Sequence, residues 1–124
     1  MDHDIPAETR SLARLRYALR KFFQDSDAAA RELDLTPQQH QLLLGVAGYT
    51  GRGWATISEL AEFLQLRHHS VVGLVDRVVE AGLVERRPNP ENRRQVEVHL
   101  SDDGHAAVRA LHPHHRRDVY SLRR

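Results

Sequence analysis

Between Ile57 and Val78 the apolar side chains fall at a spacing that few folds can use. With Ile57 as the first position, Leu60, Leu64, Leu66, Val71 and Leu74 take the apolar places that let two helices cross near a right angle, and Ala61 supplies the small residue where they touch. Ser58, followed by Glu59 and Leu60, is expected to cap the first helix of the pair, which ends near Leu64. The second spans roughly His68 to Ala81, with Val71, Leu74, Val75 and Val78 in one stripe and Gly82 as its stop. Gln65 stands where many helix-turn-helix motifs place a turn glycine.

The residues after this pair narrow the fold further. Leu83-Val84-Glu85-Arg86-Arg87 leads into Pro88-Asn89-Pro90-Glu91-Asn92-Arg93-Arg94 and then Gln95-Val96-Glu97-Val98-His99-Leu100. Val96, Val98 and Leu100 alternate with polar residues, as a half-buried strand requires. Together these pieces predict a β-hairpin with a polar, arginine-tipped loop. A hairpin directly after the second helix makes the winged form of the motif. There the second helix enters the DNA major groove, and the hairpin reaches a phosphate or the minor groove.

Helical periods continue on both flanks. From Ala7 to about Leu33, Leu12, Leu15, Leu19, Phe22, Phe23, Ala30 and Leu33 recur at three- and four-residue steps, the mark of one long amphipathic helix. Its length predicts that one face packs on something beyond its own core. Thr36, Pro37 and Gln39 open another helix with a capping box. That helix runs through Leu42, Leu43, Leu44 and Val46 and dissolves at Tyr49-Thr50-Gly51-Arg52-Gly53. Trp54-Ala55-Thr56-Ile57 reads as a short strand. Ser101-Asp102-Asp103 caps a last helix carrying Val108 and Leu111, which Pro113 is expected to interrupt. Residues 1–124 thus read as a single domain, mainly α with a small β-hairpin wing.

Composition removes several function classes. No apolar run approaches the roughly 20 residues a membrane span needs, and Met1-Asp2-His3-Asp4 is acidic where a secretory signal would be basic and then apolar. The chain has no cysteine, which excludes disulfides, thiolate zinc sites and cysteine redox sensing. The expected compartment is the cytoplasm. Net charge is only +1, so placement matters more than amount. Lys21 is the only lysine among 18 basic residues. Arginine offers a planar fork to phosphates and guanine edges, although a genome-wide codon bias accounts for the count equally well. Arg86, Arg87, Arg93 and Arg94 cluster on the hairpin, while Arg67 and Arg77 flank the exposed face of the helix before it.

In order and spacing, about two thirds of the chain resembles the MarR family of bacterial regulators. The resemblance rests on Leu35-Thr36-Pro37 with its leucine-rich helix, Ser58-Glu59-Leu60-Ala61 and Val75-Asp76-Arg77. It continues in Gly82-Leu83-Val84-Glu85-Arg86, Asn89-Pro90-Glu91-Asn92-Arg93-Arg94 and Val96-Glu97-Val98-His99-Leu100-Ser101. It implies a winged helix-turn-helix over about 36–101, with dimerisation helices over about 7–34 and 102–124. It also implies a homodimer on a pseudo-palindromic operator in double-stranded DNA, usually repressing and released by a small, often aromatic or acidic, effector. The family's wing commonly reads Asp-X-Arg, the acid bracing the arginine that enters the minor groove. Here Asn92 holds the acid's place and Arg94 the arginine's, so the brace is expected to be an amide-to-guanidinium bond without ionic strengthening. The family's last helix is long and followed by another, a region where this chain has Pro113.

The expected DNA-binding residues are Arg67, His68, His69, Ser70, Gly73, Arg77, Arg93 and Arg94. His68, His69 and Ser70 open the recognition helix, where side chains reach base edges; a solvated helix start is the bland alternative. A glycine inside a helix costs about 1 kcal/mol relative to alanine, so Gly73 points to close backbone approach, by DNA or by a neighbouring helix. Arg77 meets a phosphate or pairs with Asp76 or Glu80. His112-Pro113-His114-His115, with His99 and His105, is the densest histidine cluster, but Pro113 spoils helical spacing and no carboxylate completes a ligand set. His68-His69 is weaker still, since adjacent helical residues point about 100° apart. No metal or cofactor is expected. Neither a nucleophile elbow, a phosphate loop nor an HExxH motif appears, so no enzyme is expected. Phe22, Phe23, His40, Tyr49 and Trp54 lie near the junction where an effector would bind and read mainly as core. Two rivals to a DNA-binding repressor are a winged-helix protein-interaction module and a metal-sensing regulator.

Overall fold

The computed structural model describes residues 3–122, with side chains described as far as His112. Five α-helices and three strands follow in the order α1 (Ala7–Glu32), α2 (Pro37–Leu44), β1 (Trp54–Thr56), α3 (Ile57–Leu64), α4 (His68–Glu80), β2 (Val84–Pro88), β3 (Val96–Leu100) and α5 (Asp102–Leu122). The strands form one antiparallel sheet in the order β1-β3-β2. The wing is therefore a hairpin with a third, short strand laid along its β3 edge.

Local chemistry sets most of the boundaries. Thr36 Oγ1 accepts from the Gln39 amide at 3.1 Å and Gln39 Oε1 accepts from the Thr36 amide at 3.1 Å, with Pro37 at the first helical position. Three helices end in the same reverse turn, in which an amide bonds back five residues and the residue before it turns left-handed. In α1 the Leu35 amide reaches Ala30 O at 2.9 Å around Asp34, in α3 Leu66 reaches Ala61 O at 3.1 Å around Gln65, and in α4 Leu83 reaches Val78 O at 3.1 Å around Gly82. Gln65 thus occupies a place that favours glycine, at φ +56°. Its side-chain amide donates to Glu62 O at 2.7 Å, which compensates part of the steric cost.

Two boundaries differ from the sequence reading. α3 is capped by Thr56, not Ser58: Thr56 Oγ1 accepts from the Glu59 amide at 3.2 Å, and Glu59 Oε1 accepts from the Thr56 amide at 2.9 Å. The reason is tertiary. Thr56 is held extended by pairing opposite Glu97 of β3, so the helix begins one residue after it. Second, α5 passes Pro113 and continues to Leu122. A proline removes one N–H from the ladder and crowds the carbonyl four residues back, but here the helix continues through it without a break.

The core is built by the winged motif. Leu42, Leu43, Val46, Leu60, Val71, Leu74, Val75, Val78 and Val98 are fully or almost fully buried, joined by Leu111 of α5. Of the positions expected to hold the helix pair together, Leu60, Val71 and Leu74 are buried, while Ile57, Ala61, Leu64 and Leu66 pack half-buried around them. After Leu44, α2 widens into one π-helical turn, Gly45–Tyr49. A Cβ at Gly45 would lie 2.8 Å from Phe63 Cδ2, so the glycine lets α2 and α3 approach. Gly104 does the same for α5, where a Cβ would fall 2.0 Å from the Leu83 carbonyl oxygen. α1 is different: only Ser26, Ala29 and Ala30 near its C-terminal end are buried.

Candidate nucleic-acid interface

α4 buries Val71, Leu74, Val75 and Val78 and so presents His68, His69, Ser70, Asp76 and Arg77 to solvent. Arg67 occupies its N-cap but supplies no acceptor, so the helix opens without a side-chain cap. Amides at such an end, together with the helix dipole, favour an approaching anion. A Cβ at Gly73 would meet only an Arg77 guanidinium nitrogen at 3.8 Å, an ordinary contact. No neighbouring helix of the chain requires a glycine there.

The hairpin loop is closed by its own polar side chains. Asn89 Oδ1 accepts from the Glu91 amide at 2.9 Å, and Asn89 Nδ2 donates to Gln95 Oε1 at 3.2 Å. Asn92 Oδ1 accepts from the Arg94 main-chain amide at 3.1 Å. The expected bond from Asn92 to the Arg94 guanidinium is therefore replaced by one to its backbone. An amide too short to span the side chain still fixes the turn that projects it.

The arginines of the winged module, residues 36–100, divide into two groups. Arg86 bonds Asp76 of α4, Arg87 bonds Glu85 on its own strand, and Arg52 bonds Glu59 at the start of α3. These charges are met within the molecule. Arg52 also lies 3.8 Å over the Trp54 ring, Trp54 stacks on His99 at 5.6 Å, and His99 Nε2 is 2.9 Å from Glu97 Oε1. By contrast, the side chains of Arg67, Arg77, Arg93 and Arg94 are exposed and make no hydrogen bond or ion pair among the described residues. Arg86 and Arg87, grouped with the loop arginines by sequence, belong to the paired set. Alternation explains Arg86: it stands opposite Val98 in the sheet, on the side that faces α4.

The Glu59 carboxyl has a displaced titration. Burial acts to raise it. Donors from the Thr56 backbone, the Arg52 guanidinium and the Thr56 hydroxyl outweigh burial and hold it below the ordinary 4.5.

A cleft runs between the starts of α3 and α4 and the hairpin, lined among others by Ser58, His68, Val72, Arg86 and Arg94. His68, Val72 and Asp76 are four residues apart, so they form one stripe of α4 beside the hairpin. Asp76 ties that stripe to Arg86. Ser58 lines this cleft, whereas the sequence assigned it to capping. Phe22 meets Phe23 edge-on at 5.4 Å, Tyr49 meets Phe63 at 5.0 Å, Trp54 meets His99, and His40 is buried. Among the described residues no three His, Asp or Glu side chains are placed to hold a metal; the side chains of His114 and His115 lie outside the described residues.

Comparison with known proteins gives one consistent answer. The profile of the MarR family matches residues 33–95. The multiple antibiotic resistance protein MarR of Salmonella typhimurium is 31% identical over 88 residues, 71% of this chain and 59% of that protein. This chain therefore spans less than two thirds of the relative it matches. The apo structure of MarR from E. coli superposes with a TM-score of 0.74 at 26% identity, covering 96% of this chain and 82% of that one. A mutant of the same protein complexed with operator DNA gives 0.68 at 28% identity, over 90% and 78% of the two chains.

Proposed function

The chain belongs to the MarR family, and from that premise we propose that it is a DNA-binding transcriptional regulator, not an enzyme, acting in the cytoplasm as a homodimer on a pseudo-palindromic operator. The observation that carries this reading is the set of four arginines left unpaired in the winged module: Arg67 at the uncapped start of α4, Arg77 in its last turn, and Arg93 and Arg94 in the hairpin loop. A folded protein gains little from exposed guanidinium groups without partners, whereas a polyanion gives all four something to meet. The operator-bound relative has the same fold, which supports the same use here.

In this reading α4 lies in the major groove. His68, His69 and Ser70 read base edges, Gly73 lets the helix backbone approach, and Arg67 and Arg77 bind phosphates. Arg93 and Arg94 enter or flank the minor groove, where a narrow groove concentrates negative potential. α1 and α5 supply the contact between copies and set two recognition helices about one DNA turn, or a multiple, apart. Repression, and release by a small aromatic or acidic effector, are the family's usual mode and complete the proposal.

Gel-shift titrations at two salt concentrations test it. The wild type should bind duplex DNA with affinity falling steeply as salt rises, since each neutralised phosphate releases counterions. Arg94→Ala should weaken binding to operator and random duplex alike and reduce the salt slope by roughly one. Replacing His68, His69 and Ser70 together with alanine should instead reduce discrimination between them. Absence of DNA binding at low salt would overturn the reading in favour of a protein-interaction module.

A further inference from the structure

We infer that the cleft between α3, α4 and the hairpin seats one deoxyribose-phosphate unit of the DNA backbone, with Ser58 as a phosphate ligand; this rests on the DNA-binding reading above. The cleft has two kinds of lining. Ile57, Val72 and Val96 are half-buried and apolar, whereas Ser58, His68 and Arg94 are exposed and polar. A backbone unit of DNA has the same division, an apolar sugar edge beside two anionic oxygens.

Three further observations favour this occupant. With Thr56 capping α3, the Ser58 hydroxyl has no partner among the described residues and is free to donate. The Arg94 guanidinium is also unpaired, and Asn92 fixes the backbone that carries it. Finally, the cleft holds about 270 Å³ and opens to solvent, so a segment of a larger molecule can enter it. The three elements that line it are the first helix of the motif, the recognition helix and the wing, so one phosphate seated there would fix all three against a single strand.

The test compares wild type, Ser58→Ala, Arg94→Ala and the double variant on a random-sequence duplex at two salt concentrations. Ser58→Ala should keep the wild-type melting temperature and lose about three- to tenfold in affinity, the value of one ordinary hydrogen bond at a solvent-exposed site. Because both side chains hold the same phosphate, the double variant should bind little more weakly than Arg94→Ala alone. Inorganic phosphate replacing chloride at equal ionic strength should leave the affinity unchanged. Wild-type affinity in Ser58→Ala, or losses that multiply in the double variant, would overturn the assignment while leaving DNA binding intact. Competition by inorganic phosphate would overturn it in favour of a free-anion site. No DNA binding by the wild type would instead sink the functional reading itself.

Discussion

The winged module and the first helix carry the same kind of leucine pattern and treat it in opposite ways. Leu60 of α3 is 0% exposed, enclosed by α2, α4 and the π-turn, whereas Leu12 and Leu15 of α1 are each 53% exposed. Ile5, Tyr17 and Phe23 are also open to solvent. Apolar periodicity reports that a helix has a face to bury; it does not report whether the same chain supplies the cover. In residues 36–100 the chain covers itself. Along the first half of α1 it does not, and a second copy is the cover that we propose.

Truncation is the strongest way to break this contrast. Leu60→Ala should cost about 2–5 kcal/mol of stability, because the surrounding helices cannot close the cavity completely. Urea unfolding of the purified protein measures it, and a loss under 1 kcal/mol would mean that Leu60 is not a core residue in solution.

The same chemistry on α1 should act on association. Leu12→Ala with Leu15→Ala should raise the dimer dissociation constant at least roughly tenfold, since each leucine buried between copies contributes about 1.5–3 kcal/mol. The helix content of the dissociated protein should be unchanged. Sedimentation equilibrium reads the constant, and a wild type that is monomeric at micromolar concentration with or without DNA would remove the contrast.

The smallest effect is expected at the rim of the winged module, where Glu59 joins Arg52 to the cap of α3. Its carboxyl titrates below the ordinary 4.5 in the folded state, so its contribution is present above that value and lost as pH falls through the folded pKa. Glu59→Gln should therefore cost under about 1 kcal/mol at pH 7, in keeping with a partly solvated ion pair. The difference from wild type should shrink on acidification below pH 4.5. Thermal melts across that window check the sign. A difference that grows on acidification would contradict it.

Element types and most boundaries were legible in the sequence because their causes are local. A capping box spans three residues, an apolar stripe repeats every three or four, and strand alternation every two, so Thr36-Gln39, the α4 stripe and the Val96–Leu100 alternation are all readable in place. The outline of the proposed interface was legible for the same reason, with α4 and its exposed opening residues before an arginine-tipped loop. Choices among chemically similar neighbours were not. Thr56 and Ser58 are both good caps, and only the pairing of β1 with β3 holds Thr56 extended and releases Ser58 to the cleft. Arg86 and Arg94 look alike in sequence, but Asp76 reaches the first across ten residues and nothing among the described residues reaches the second. Whether a charge is met, or a leucine covered, depends on groups brought close by the folded chain, and that proximity is what tertiary structure alone decided.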